Sequence, residues 1–175
     1  MSIPRIAWAA YGFALVVVIL DQFTKALILG SVDVSHPDMI QPGRVFAEII
    51  PGVLSFTMVR NTGVSFGLFG GGEARWFLTV FSILVAGALA WWAMKAQRRL
   101  LVTAIGLVIG GAIGNVIDRI RFGYVVDFID FSATGLFPWV FNLADSAITV
   151  GVALLILDSV ISERKPAVGA APEKA

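Results

Sequence analysis

Four apolar stretches, residues 8–29, 76–94, 100–117 and 139–160, leave this chain little freedom in what it can become. Each is close to the roughly 20 residues with which an α-helix crosses a hydrocarbon core. The expected architecture is an all-α membrane protein of four transmembrane helices. Residues 1–162 would form one integral-membrane domain and 163–175, rich in Ala, Pro and charge, a flexible cytoplasmic tail. Composition points the same way: 58% of the 175 residues are hydrophobic and 14% charged, with a mean hydropathy of +0.87, far from the balance of a soluble domain. Arg5 ahead of the first stretch gives it the look of a signal peptide, but no small-x-small cleavage site follows residues 21–25, so it reads as a retained span.

Several kinds of chemistry drop out at once. Without cysteine the chain has no thiolate nucleophile and no sulfur-bound zinc. The single histidine, His36, precedes Pro37 in a polar stretch and reads as a loop residue, and an H-E-x-x-H zinc site needs two histidines one turn apart. A net charge of +1 offers nothing to nucleic acid.

Lys and Arg gather on the cytoplasmic side of short loops. The densest basic cluster is Lys95, Arg98 and Arg99 between the second and third stretches, and the tail adds Arg164 and Lys165. Both termini are therefore expected in the cytoplasm, with the long connection 30–75 and the third connection 118–138 on the outer face. Trp8, Trp76, Trp91, Trp92 and Trp139 lie at segment ends, as an interfacial aromatic belt would. Residues 53–59 favour a strand, and the turn chemistry of Asn61-Thr62-Gly63 before Val64-Ser65-Phe66 predicts a small β element in the long outer loop. Gly106, Gly110 and Gly114 recur every fourth residue with Gly111 adjacent, the spacing of a close helix–helix packing face in lipid.

That topology gathers scattered polar residues at one depth. Counting at about 1.5 Å per residue, Asp21 lies about 20 Å into the first span, with Lys25 one turn later on the same face. Asn115, Asp118 and Arg119 arrive near the outer end of the third span. Asp145 lies about 9 Å below Trp139 in the fourth, sharing a face with Asn142 and Ser146. Asp158 falls at the cytoplasmic end of the fourth span and meets only the interface. Asp118 and Asp130 read as exposed loop charges, and Asp21 with Lys25 as an ion pair that braces a site. An ionised acid at membrane depth costs roughly 2.5–3.5 kcal/mol on insertion scales, so Asp127 and Asp145 are the candidates for a task. Two carboxylates brought close repel, one pKa rises, and the pair holds one proton: the ionised member activates water while the neutral one polarises an amide carbonyl. This chemistry needs no cofactor. Gly63-Val64-Ser65-Phe66-Gly67 matches a G-x-S-x-G nucleophile elbow, but no histidine follows it. A Ser–Lys dyad on Lys25 would leave both aspartates without a purpose. A proton or ion transporter, or a scaffold with a polar core, would also place acids within spans.

Residues 20–25 (Leu-Asp-Gln-Phe-Thr-Lys), 60–63 (Arg-Asn-Thr-Gly), 111–119 (Gly-Ala-Ile-Gly-Asn-Val-Ile-Asp-Arg), 125–128 (Val-Val-Asp-Phe) and 141–146 (Phe-Asn-Leu-Ala-Asp-Ser) closely resemble, in order, the motifs of bacterial lipoprotein signal peptidase, or signal peptidase II. The resemblance spans about 8–160. It implies an aspartic membrane endopeptidase that removes signal peptides of prolipoproteins on the amino side of a diacylglyceryl-cysteine. It makes Asp127 and Asp145 the catalytic dyad, and Asp21, Lys25, Asn61, Asn115, Arg119 and Asn142 supports of the site or contacts to substrate. The implied partners are the prolipoprotein signal peptide, membrane lipid and the inhibitor globomycin, and the implied location is the bacterial inner membrane with the site toward its outer face. Arg60 stands where the family often has an aromatic or small residue, and Val64-Ser65-Phe66 where alanines are common, departures that bear on how the outer loop meets substrate.

Overall fold

A computed structural model describes residues 4–31, 45–63 and 73–163. His36 and residues 64–67 of the serine-elbow match lie outside the described residues, as does the tail beyond Glu163. Among the described residues four helices are long and apolar enough to cross a membrane: α1 (Ala7–Ser31), α2 (Glu73–Ala93), α3 (Arg99–Phe122) and α4 (Leu143–Glu163). At about 1.5 Å per residue they run roughly 32–38 Å, enough for a hydrocarbon core of about 30 Å. The fourth begins four residues later than expected, because residues 140 and 141 pair as a strand. Asp145 therefore sits in the first turn of α4 rather than well inside a span.

α3 is the axis of the bundle and packs against α1, α2 and α4. Its glycines explain why. A Cβ on Gly106 would come within 2.6 Å of the Ala10 carbonyl oxygen, and one on Gly110 within 2.6 Å of Val17 Cβ, so α1 lies directly on that stripe. Gly111 faces the other way, where a Cβ would collide with the Ala144 carbonyl oxygen of α4. Lipid tails provide no hydrophobic drive for helix association, and close backbone approach supplies dispersion contact instead. Large side chains such as Leu15, Phe23, Phe81, Leu84 and Ile156 are left exposed on the outside, together with all five tryptophans.

The β structure is larger than the loop element expected. Strands β1 (Val45–Ile50) and β2 (Leu54–Asn61) come from the first connection, β3 (Val125–Asp130) and β4 (Val140–Phe141) from the third, and they form one antiparallel sheet in the order β1-β2-β3-β4. Pro51 and Gly52, the latter at φ +69°, turn the β1–β2 hairpin, with the Val53 N–H donating to the Ile50 carbonyl at 3.0 Å. One face of the sheet meets the end of α1, where Ile28, Met58, Val126 and Phe128 form a buried cluster. Alternation along β3 then sends Asp127 to the opposite face. α3 ends at Gly123 (φ +85°), whose N–H donates to the Arg119 carbonyl, and the chain enters β3 two residues later.

Candidate active site

Asp127 is delivered by β3 and Asp145 by the first turn of α4. Asn142, completely buried, joins them. Its Nδ2 donates to Asp127 Oδ1 at 2.7 Å, and its backbone N–H donates to Asp145 Oδ2 at 3.2 Å. In return the Asp145 N–H donates to Asn142 Oδ1 at 2.9 Å. Asn142 is thus the N-cap of α4 and Asp145 its N3 residue, a reciprocal capping box. The N-x-x-D spacing just before an apolar run was visible in the sequence and is the signal that sets the true start of the helix.

Each carboxylate oxygen of the pair receives an N–H. Asn61 Nδ2 donates to Asp127 Oδ2 at 2.8 Å, and Asn115 Nδ2 donates to Asp145 Oδ1 at 2.8 Å. The amide groups are oriented from behind. Gly63 N–H donates to Asn61 Oδ1 at 2.8 Å, and Lys25 Nζ donates to Asn115 Oδ1 at 3.1 Å, so both amides must turn their nitrogen toward an aspartate. Burial, joined by the negative charge of Asp145, pushes the Asp127 carboxyl up to about 7 against the restraint of the hydrogen bonds from Asn61 and Asn142.

Lys25 is buried between two acids. It lies 2.8 Å from Asp21 Oδ2 and 2.8 Å from Asp118 Oδ2. Asp21 also accepts the Ala144 N–H at 3.0 Å, tying α1 to the first turn of α4. Lys25 has no serine partner among the described residues, which leaves the Ser–Lys alternative without support there. Arg119 stays at the site: its Nε is buried with no hydrogen-bond partner among the described residues, within electrostatic range of Asp145, Asp127 and Asp118.

Three acids differ from the expectation drawn from sequence. Asp118 is completely buried and holds Lys25, Gln22 Nε2 (2.9 Å) and the Val126 N–H (3.0 Å). Asp130 is buried too, accepting from Thr57 Oγ1 at 2.7 Å and the Ser132 N–H at 2.8 Å. Burial alone would raise its pKa, but the Ser132 and Thr57 hydrogen bonds prevail and hold it below the usual carboxylate value. Asp158, at the far end of the bundle, pairs with Arg98 at 2.6 Å instead of merely meeting the interface. Sequence missed all three because a neighbouring polar residue marks a loop or a buried partner equally well. Gln22, which bridges Asp21, Asp118 and the Gly114 carbonyl, was passed over for the same reason.

Beside Asp145 a cavity of about 360 Å³ opens along α4, lined by Phe137, Phe141, Asp145, Ser146, Thr149 and Val150. The hydroxyls of Ser146 and Thr149 are used on the Asn142 and Asp145 carbonyls, so they present no spare donor to it.

Fold and site together define a polytopic helical membrane protein that carries two linked carboxylates where one end of its bundle meets a sheet. Residues 13–161 match the family model described as signal peptidase (SPase) II, and the chain belongs to that family, which makes it a peptidase. It is 53% identical over 167 residues to the lipoprotein signal peptidase of Caulobacter vibrioides, covering 93% of each chain. It is 42% identical over 161 residues to that of Shewanella loihica, covering 89% of this chain and 88% of the relative. A bacterial membrane enzyme solved by the in meso method at 2.3 Å superposes with a TM-score of 0.71 at 32% identity, over 95% of this chain and 94% of that one.

Proposed function

We propose that this chain cleaves prolipoprotein signal peptides by an aspartic mechanism in which Asp127 and Asp145 share one proton. The observation that carries the reading is the junction at Asn142, which touches both carboxylates while every oxygen of the pair is fixed by an N–H. With its pKa near 7, Asp127 exchanges its proton readily at neutral pH. The ionised member takes a proton from water as the water oxygen attacks the carbonyl carbon. The protonated member gives its proton to the carbonyl oxygen. The resulting diol returns one hydroxyl proton to the ionised member as the C–N bond breaks, and the leaving amine takes a proton from the protonated member.

The supporting residues divide the remaining work. Asn61, Asn115 and Asn142 orient the carboxylates. Asp21 and Lys25 brace α1 against α3 and α4. The half-buried guanidinium of Arg119 supplies donors for a substrate carbonyl. The substrate is the amide before a diacylglyceryl-cysteine, whose acyl chains remain in lipid beside α4, and a globomycin-like cyclic peptide would compete for the same space. The basic cluster at 95–99 favours cytoplasmic termini and a site on the outer face of the bacterial inner membrane, within a single membrane domain through residue 162.

The test uses purified protein in detergent with a lipid-modified prolipoprotein. Asp127→Asn and Asp145→Asn should each remove turnover, and wild-type rates in both would refute the dyad. A cysteine at position 97 should resist an impermeant thiol reagent added outside intact cells, and labelling there would invert the topology.

A further inference from the structure

β3 is held on one edge by β2, through Val125 with Asn61, Val126 with Arg60 and Asp127 with Val59. On its other edge β4 reaches only Ile129 and Asp130. Successive residues of an antiparallel strand direct their backbone polar groups to alternate edges. At Val126 those groups face the edge that β4 leaves open, and two side chains from the helices take the place of the missing strand. Asp118 Oδ2 accepts the Val126 N–H at 3.0 Å, and Asn142 Nδ2 donates to the Val126 carbonyl at 3.3 Å. Asp118 is itself immobilised by Lys25 at 2.8 Å and by Gln22 Nε2 at 2.9 Å. Val126 is the residue immediately before Asp127. A one-residue slip of β3 would exchange the faces of the strand, sending Asp127 toward Ile28 and Met58 and Phe128 toward Asp145.

We infer that Asp118 is a positioning residue for Asp127: it acts as a surrogate ladder strand, clamping β3 to α3 so that the carboxylate faces Asp145. The inference rests on the dyad proposed above. α3 then addresses both carboxylates from one turn, Asp145 through Asn115 and Asp127 through Asp118 and the Val126 backbone.

The test measures turnover and the hydrogen exchange of the Val126 amide in the same detergent-purified variants. Asp118→Leu removes the acceptor, and a displacement of Asp127 by about 1 Å should lower kcat about 100-fold. KM should be nearly unchanged, because Asp118 is completely buried and reaches Asp127 only through the Val126 backbone. Val126 exchange should accelerate while the amides of the α3 interior stay protected. Asp118→Asn keeps an oxygen for the Val126 N–H and should lose no more than about tenfold in kcat, with a correspondingly smaller rise in exchange. If Asp118→Leu does not fold, the Asn variant decides by the same coupling. Wild-type kcat in Asp118→Leu, or loss of kcat in either variant with Val126 still fully protected, overturns the inference. The dyad reading fails separately, through turnover by Asp127→Asn.

Discussion

Replacing Asp127 by Asn should abolish turnover and, at the same time, make the protein more stable above neutral pH. The carboxyl titrates near 7 in the folded protein against a reference of 3.8, a difference of about three pH units, or about 4 kcal/mol at 1.36 kcal/mol per unit. The sign follows from the direction of the shift. The folded state holds the proton more tightly than the unfolded chain, so the stabilising contribution is complete below about pH 4 and is lost as pH rises through 7. At pH 8 the wild type keeps a desolvated carboxylate beside Asp145, whereas Asn at this position carries no charge. Thermal unfolding in detergent, followed by tryptophan fluorescence from pH 5 to 8, should show the variant's advantage in Tm growing with pH. A domain of this size gains about 2–4 °C per kcal/mol, so the difference at pH 8 should amount to several degrees. The measured lipoprotein-cleaving activity of the same sample should be at background. A Tm difference that does not change between pH 5 and 8 would refute the raised pKa, and turnover by the variant would refute the dyad.

Other perturbations separate packing, capping and charge. Gly110→Ala places a methyl 2.6 Å from Val17 Cβ and should cost about 1–3 kcal/mol, whereas Gly87→Ala on the exposed side of α2, with nothing within 4 Å, should leave Tm unchanged or slightly higher; equal effects would argue against α1 lying on the glycine stripe. Asn142→Ala removes the α4 cap and the Asp127 hydrogen bond together, so it should lower stability by about 1 kcal/mol or more and eliminate turnover, and an active variant would contradict the bridging role. Arg98→Ala strands the buried carboxylate of Asp158 and should lower Tm more than the Arg98→Ala/Asp158→Ala double variant does, with kcat unchanged because the pair lies at the opposite end of the bundle from the dyad; a double variant no more stable than the single one would show that the pair contributes little.

Four helices and a group of converging polar residues follow from the order of amino acids alone. An apolar run of span length has few alternatives in lipid, because a helix satisfies its own backbone. A glycine every fourth residue likewise identifies the face on which another helix packs. How the polar residues are joined emerges only once the chain is folded. Asp118 and Asp130 look alike in the sequence as acids near loops, yet one clamps β3 to the helices and the other closes a turn with Ser132 and Thr57. The strand that presents Asp127 pairs with β2 from a connection more than sixty residues earlier, and no local pattern specifies such a partner. A hydrogen bond depends on distance and direction between groups far apart in the chain. Asn142 therefore shows in the sequence as a cap through its N-x-x-D spacing, and only the folded chain makes it the link between Asp127 and Asp145.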